Sequence, residues 1–425
     1  MNILMMTNTY KPILGGLEKS VESFAQEFRK RGHRVIIVAP AIDGMVEEED
    51  VLRIPAAQHF NHSDFSVQLP IPNGLETMLN DFAPHIVHSQ HPFLIGDTAL
   101  RVASKFNVPL VFTHHTLYEE NVHYVPGNEE ALKRFVIELS TGYANLADQV
   151  FAPSESVMKL MRERGVESPV DVVPTGIDVN KFLTGDRKEF RAQFNIPENA
   201  FVVGHIGRLA IEKNLEFVTK AAAQFLIKYP DAFFLIGGTG PSQELLTEML
   251  NEAGLAKQYC FTGNLKGKEL VNAYHAMDVF IFASKSETQG LVVAEAMACG
   301  IPVVALDAPG IREVVTDRLN GCLLMAEKSE DFVQALEWVK QRSPEESAAL
   351  KLACQQTAER FSRENSVAKA FKIYVALTTR AGFLRRPISE DSFWSKSVRM
   401  IQTQWGLVKN FTNAAGAMIE HQEAS

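Results

Sequence analysis

The chain has 425 residues, 46% hydrophobic and 22% charged, with a formal net charge of −9. That length exceeds one ordinary core and implies two domains with additions, in a composition typical of soluble globular enzymes. The acidic balance excludes general nucleic-acid binding, and without a basic leader or an uncharged apolar run of about 18 residues the expectation is a cytoplasmic protein, neither secreted nor membrane-spanning.

Ile3 to Met6 is a short β-type run. The turn Asn8 to Pro12 and then Gly15-Gly16 follow it, and Leu17, Val21, Phe24, Ala25 and Phe28 fall at helical spacing until Gly32 stops the helix ahead of the strand Val35 to Ala39. Two glycines at the start of a βαβ helix let the backbone approach a ligand and offer N–H groups to it; a flexible turn is the plain alternative. Residues 56–75 are irregular, an insertion or a loop. Strand-like runs at Ile86 to Ser89, Leu110 to His114, Val150 to Ala152 and Val170 to Val173 alternate with helical segments, which predicts a doubly wound parallel sheet. His114 and His115 end one of these strands. Side chains alternate along a strand, so one of the two packs and the other faces a cleft. His114 is expected to be a satisfied structural histidine and His115 the functional one, leading into Thr116 and the polar, aromatic run Tyr118 to Tyr124. The segment PTGID, Pro174 to Asp178, ends this half, and the charged, strand-poor stretch 181–200 is expected to be the junction.

A second sheet begins at Phe201 to Ile206 and turns into GRLAIEKN. There Arg208 and Lys213 can supply a forked guanidinium and a compact ammonium to a diphosphate, with surface salt bridging as the plain alternative. The strand Phe233 to Ile236 closes on GGTGP, expected to be a tight turn because GxGxxG is absent. Cys260, Cys299, Cys322 and Cys354 lack metal-ligand spacing and are expected to be buried thiols in a reducing compartment. The strand Val279 to Phe282 feeds SETQGLVVAEAMACG, with a helix-competent segment Leu291 to Cys299 and a further strand Pro302 to Leu306. A helix N-terminus at the carboxyl end of a parallel sheet suits an anion near Gln289, Gly290 and Leu291. Glu287 and Glu295 flank that point. Bare carboxylates repel a phosphate, so the two are expected to accept hydrogen bonds from hydroxyls on either side of it, which describes a nucleotide sugar. Helix capping by Glu287 and a solvated Glu295 are the plain alternatives. No D-x-D occurs, so no metal is expected, and neutralisation falls to Arg208, Lys213 and helix dipoles.

Taken together and in this order, Gly15-Gly16, His115-Thr116, GRLAIEKN and the Glu287/Glu295 pair resemble the retaining glycosyltransferases of family 4, over the chain up to the region of residue 375. The resemblance implies an α/β GT-B fold: two Rossmann-like doubly wound domains facing across a cleft, with a helical C-terminal extension. The expected division is an acceptor-side domain at 1–180, a linker at 181–200, a nucleotide-sugar-binding domain at 201–365, and C-terminal helices at 366–425. The first of those helices would cross back to the N-terminal domain and the last would be amphipathic. By motif position, Arg208 and Lys213 would hold the diphosphate, Glu295 the ribose hydroxyls and Glu287 the donor sugar's hydroxyls. His115 would contact the sugar near the reacting carbon, and Gly15-Gly16 would close onto the diphosphate. The implied reaction moves a hexose from a nucleotide-diphosphate sugar, UDP-glucose-like ahead of GDP-mannose, to a hydroxyl acceptor with retention of configuration. It needs no cofactor and no covalent nucleophile. HTLYEENVHY resembles the segment of enzymes that glucosylate diacylglycerol, which suggests a membrane lipid as acceptor, although those enzymes more usually have another residue where His114 stands.

In the tail, Trp394, Val398, Ile401, Trp405 and Val408 share one helical stripe, and between residues 380 and 409 six basic residues stand against two acidic. A basic amphipathic helix with tryptophans suits a membrane interface, so peripheral contact through 385–425 at the inner face of the membrane is one expectation; docking of the stripe on the protein's own body or a second subunit is the other. Two further functional readings stay open: a nucleotide-dependent oxidoreductase or epimerase on paired Rossmann domains, against which the missing GxGxxG counts, and a catalytically inactive nucleotide-sugar-binding protein.

Overall fold

A computed structural model of the chain describes residues 1–13, 15–42, 47–54, 56–57, 67–68, 73–124, 128–284, 287–379 and 393–419. Most of the irregular stretch 56–75, and 380–392 of the basic tail, lie outside the described residues. The chain forms two compact units, residues 1–175 with 366–425, and residues 176–365.

Unit 1 runs through β1 (Asn2–Met6), α1 (Gly16–Lys30), β2 (Arg34–Pro40), β3 (Val51–Ile54), a short antiparallel ladder of β4 (Ala56–Ala57) and β5 (Val67–Gln68), α2 (Asn73–Phe82), β6 (Ile86–Ser89), α3 (Ile95–Phe106), β7 (Leu110–Thr113), α4 (Glu129–Leu146), β8 (Gln149–Ala152), α5 (Glu155–Glu163) and β9 (Val170–Val172). Seven strands form a parallel sheet in the order β3-β2-β1-β6-β7-β8-β9. A parallel sheet is covered on both faces, so its strands are apolar throughout. Ile3 and Met5 of β1 pack with Val21, Phe24 and Phe28 of α1, while Leu4 and Met6 face the other way onto Phe82, Ile95 and Ala99. The strand order reverses between β1 and β6, and the loops carrying Gly15 and Gln90 leave from those two strands. Such a switch point is where open α/β sheets bind ligands.

Unit 2 repeats the plan with α6 (Val179–Phe182), α7 (Arg187–Gln193), β10 (Phe201–Ile206), α8 (Leu215–Lys228), β11 (Ala232–Gly237), α9 (Gln243–Glu252), β12 (Tyr259–Phe261), α10 (Gly267–Ala276), β13 (Val279–Phe282), α11 (Leu291–Ala298), β14 (Val303–Leu306), β15 (Gly321–Leu324), α12 (Ser329–Lys340) and α13 (Pro344–Arg360). Its six-stranded parallel sheet is ordered β12-β11-β10-β13-β14-β15 and switches between β10 and β13. The stretch expected to be a linker, 181–200, is packed into this unit. Phe182, Phe190 and Ile196 join its core with Tyr274 and Phe280. Arg191 is buried and donates to the carbonyls of Ala276 and Ala200 at 2.8 and 2.9 Å and to Asp278 Oδ2 at 3.0 Å. Arg191 is the one charged side chain of the stretch that is buried; Lys181, Asp186, Lys188, Glu189 and Glu198 stay exposed.

Two helices follow, α14 (Arg363–Thr379) and α15 (Phe393–Ile419). From Ser366 onward the chain belongs to unit 1, and Val367, Ala370, Tyr374 and Leu377 enter the core beside Phe24 and Phe28. α15 packs on α3 and α4. It does so through Leu407, Asn410 and Ala414, and Asn410 Nδ2 donates to the Leu139 carbonyl at 3.1 Å. The approach to α4 is close: a Cβ on Gly142 would lie 1.8 Å from Asn410 Oδ1. Of the expected stripe, Trp405, 71% exposed, and Val408, also exposed, do not make this contact, while Phe411 meets Phe135 of α4 edge-on with ring centroids 6.0 Å apart. The side chains of Trp394, Val398 and Ile401 lie outside the described residues. Among the described residues, no helix is long and apolar enough to cross a membrane.

Candidate active site

In unit 2 the expected residues gather at the carboxyl ends of β10 and β13. The loop after β10 is pinned by backbone bonds from Gly207 N–H to the Gly237 carbonyl and from Leu209 N–H to the Thr239 carbonyl, both 3.0 Å. A Cβ at Gly238, where φ is +123°, would fall 1.8 Å from the Gly207 carbonyl oxygen. GGTGP, expected to be a plain turn, thus seats the loop that carries Arg208. The Arg208 guanidinium is largely exposed and lies 4.0 Å from Glu212 Oε1. Lys213, one short turn later, ion-pairs through Nζ with Glu287 Oε1. Ser284 Oγ, beyond β13, donates to the Glu212 carbonyl at 3.3 Å and ties the two loops together.

Gly290 caps α11 with φ +68°, and Leu291 opens the helix. The N–H groups of a helix's first turn point out of its end, so this one directs partial positive charge toward the loop holding Glu287 and Gln289. Glu295 lies one turn further on. It is buried rather than solvated, and its Oε2 accepts from the Tyr274 hydroxyl at 2.8 Å. Burial first, and Glu295 second, hold Tyr274 well above the ordinary tyrosine range, so it stays a donor. Tyr274 was not anticipated. It sits in the apolar run of α10 and resembles any core aromatic; the one signal was that a buried phenol needs a partner. With Arg208, Lys213, a helix end and two carboxylates in one place, the unit can take an anion flanked by hydroxyl-bearing groups.

In unit 1, Gly15 caps α1, and its N–H donates to Glu18 Oε2 at 2.8 Å, so one of the N–H groups expected to face a ligand is already taken. After β7, His114 is buried edge-on between Phe112 and Tyr118. It is a packing histidine, but not a satisfied one: neither ring nitrogen has a hydrogen-bond partner among the described residues. Burial pushes it down to about 4. His115 points the other way and is half-buried, with Nε2 at 2.7 Å from Gln90 Oε1. Gln90 was also missed, since an isolated glutamine after a strand carries no motif.

Among the described residues no group of three His, Cys, Asp or Glu side chains is placed to hold a metal ion. All four cysteines are free, and burial raises each thiol.

Two parallel α/β units, one gathering Arg208, Lys213, a helix end and two carboxylates at its switch point, define a GT-B type nucleotide-sugar enzyme. A model described as Glycosyltransferase Family 4 matches residues 14–181, and one described as Glycosyl transferases group 1 matches residues 186–356. Alpha-monoglucosyldiacylglycerol synthase of Streptococcus pneumoniae is 30% identical over 341 residues, 77% of this chain and 76% of that protein. GDP-mannose-dependent alpha-mannosyltransferase of Mycobacterium tuberculosis is 29% identical over 330 residues, 76% and 83% of the two chains. The crystal structure of Anabaena HepE in complex with UDP superposes with a TM-score of 0.71 at 22% identity, over 89% of this chain and 100% of that one, a likeness of fold. The chain belongs to glycosyltransferase family 4. It is a hexosyltransferase, and the oxidoreductase reading loses its support.

Proposed function

We propose that this enzyme transfers a glucosyl group, with retention, from UDP-glucose to a hydroxyl of a diacylglycerol-type membrane lipid. The observation that carries the reading is the unit 2 cluster, in which Arg208 and the Lys213–Glu287 pair stand beside the α11 N-terminus and Glu295 is aimed by Tyr274. The bond from the sugar's anomeric carbon to the diphosphate breaks, and the acceptor oxygen bonds to that carbon on the same face. Its proton passes to the departing diphosphate. Arg208, Lys213 and the helix end stabilise the leaving charge, which is the principal catalytic demand. Glu287 receives the donor sugar's hydroxyls and Glu295 those of the ribose. Roles for His115 at the transferred sugar and for Gly15-Gly16 at the diphosphate rest on the family resemblance. No residue is assigned as a covalent nucleophile, and no cofactor or metal is invoked.

The glucosyl donor and lipid acceptor are supported by the likeness to the pneumococcal synthase, and GDP-mannose, as the other donor, by that to the mycobacterial mannosyltransferase. Peripheral membrane contact, at the inner face and through 385–425, is supported by the exposed Trp405 and Val408 beside the exposed Lys409. Melting temperatures with UDP, GDP and ADP, then their sugars, test the donor, since a ligand that binds only the folded state raises them. UDP and UDP-glucose should give the larger shifts, followed by transfer to diacylglycerol in vesicles. If no nucleotide shifts melting, the reading fails.

A further inference from the structure

A cavity lies in unit 1 between α1 and the carboxyl ends of β6, β7 and β8, beside the switch point of the sheet. Ser20 of α1, His88, Gln90 and Thr113 line it with polar atoms, and the Phe24 and Phe151 rings give it apolar walls. It has room for about one water-sized group, so only the slender end of a ligand fits.

Ser20 is buried on the face of α1 that carries Val21 and Phe24, yet its hydroxyl has no hydrogen-bond partner among the described residues. Alanine in its place would favour the helix and leave no hydroxyl to desolvate, so the serine costs the fold something. Gln90 is buried too. Its backbone N–H donates to the Met6 carbonyl at 2.9 Å, and one end of its amide lies 2.7 Å from His115 Nε2. The other end of that amide has no partner among the described residues. His88, by contrast, is fully engaged, with the Tyr374 hydroxyl and Thr113 Oγ1 each 2.6 Å from a ring nitrogen. Burial pushes it down to about 3, so it is neutral near pH 7. Thr113 Oγ1 uses one bond on His88 and keeps capacity for another, since a hydroxyl can donate once and accept twice.

The cavity therefore offers three polar positions, the Ser20 hydroxyl, the open end of the Gln90 amide and Thr113 Oγ1, and a ligand hydroxyl can make up to three hydrogen bonds. None of the described residues lining it is charged, so a phosphate or carboxylate would be desolvated there without a counter-charge. A hydroxyl borne directly on a ring is kept out by the ring's bulk. One on a CH₂ stem can reach in, with its methylene against Phe24 and Phe151.

We propose that this cavity seats a hydroxymethyl group of a substrate, that of the transferred hexose or that of a glycerol acceptor, with Ser20 and Gln90 as its hydrogen-bond partners. This rests on the reading that a hexosyl donor and a glycerol lipid are the substrates.

The test uses the full chain with ¹³C-labelled threonine methyl groups, the Thr113 signal being identified through Thr113→Ser. Glycerol, UDP-glucose and UDP-xylose, which is UDP-glucose without its hydroxymethyl group, are added in turn. A Thr113 shift with UDP-glucose and none with UDP-xylose assigns the cavity to the hexose; a saturable shift with glycerol assigns it to the acceptor. Ser20→Val removes the hydroxyl and fills the space, and should abolish the shift without lowering the melting temperature. In turnover, Ser20→Ala should lower kcat/KM about fivefold for the substrate that enters the cavity, the worth of one neutral hydrogen bond, and should leave the melting temperature level or higher. The proposal is overturned by a glycerol titration without a shift together with equal responses to the two sugar nucleotides. It is overturned equally by a shift that survives in Ser20→Val, or by a lower melting temperature in Ser20→Ala, which would make the hydroxyl part of the fold. If no nucleotide binds while glycerol still shifts Thr113, the functional reading alone fails.

Discussion

Lys213 and Glu287, 74 residues apart, hold each other across the switch point of unit 2. Each is therefore committed to the other before any diphosphate arrives, and a diphosphate must draw the ammonium away from the carboxylate. Removing that competitor should help the diphosphate while harming the sugar. Glu287→Gln should bind UDP about three- to tenfold more tightly by isothermal titration, fail to gain for UDP-glucose, and transfer more slowly. Lys213→Met should weaken UDP binding. Unchanged or weaker UDP binding in Glu287→Gln would remove Lys213 from the diphosphate site.

Tyr274 donates to the carboxylate assigned to the ribose. Tyr274→Phe keeps the ring in the core and deletes one hydrogen bond worth about 1 kcal/mol, more when the acceptor is charged. The donor KM should rise about five- to tenfold, with kcat nearly unchanged, because ribose binding is equal in ground and transition states. Equal losses in both parameters would instead place Glu295 at the reacting centre.

Acid should weaken unit 1 before unit 2. His88 and His91 are pushed to about 3 and His114 to about 4 in unit 1, whereas in unit 2 His205 is pushed to about 4. Above the unfolded value near 6.5 these rings are neutral in both states and cost nothing. Below it the unfolded chain takes up protons that the native rings refuse, so each ring withdraws about 1.4 kcal/mol of stability per pH unit until its folded value is reached. Hydrogen exchange at pH 7 and pH 5.5 should show protection lost first in the β6 and β7 strands. Equal loss in β10 and β13 would contradict it.

The outward face of α15 predicts a lipid contact that can be broken without unfolding the helix. Trp405→Glu with Val408→Glu should abolish co-sedimentation with anionic vesicles and leave the melting temperature nearly unchanged, as surface substitutions usually do. Leu407→Glu, on the buried side, should lower it.

Much of both sheets could be read from the chain because parallel strands are buried on both faces and stand out as apolar runs. That Arg208, Lys213 and Glu287 lie together was legible because each stands in a loop that follows such a run directly. The short strands Val51–Ile54, Tyr259–Phe261 and Gly321–Leu324 escaped, being edge strands of only three or four residues. The stretch 181–200 packs into unit 2 through Phe182, Phe190 and Ile196, apolar positions scattered among exposed charges, and through Arg191, whose partner Asp278 lies 87 residues on. The partners Gln90 and Tyr274 are tertiary facts, which spacing along the chain does not announce, whereas Glu18, three residues after Gly15, was readable as a capping partner. In α15 the Trp405 stripe was periodic as expected, but periodicity does not say which of two apolar sides docks.

Tyr374 is buried against Phe28 and Phe151, with ring centroids 5.4 and 6.1 Å away. The sheet of unit 1 therefore waits for a residue that the ribosome adds roughly 200 positions after the last strand, a delay of about 10–40 s at ordinary elongation speeds. Unit 2, drawn from one unbroken stretch, can mature within that interval, reversing the usual order in which the first domain made is the first to fold. Until α14 emerges, nascent unit 1 carries an unfinished apolar face, and a chaperone that binds such surfaces would find its longest opportunity there.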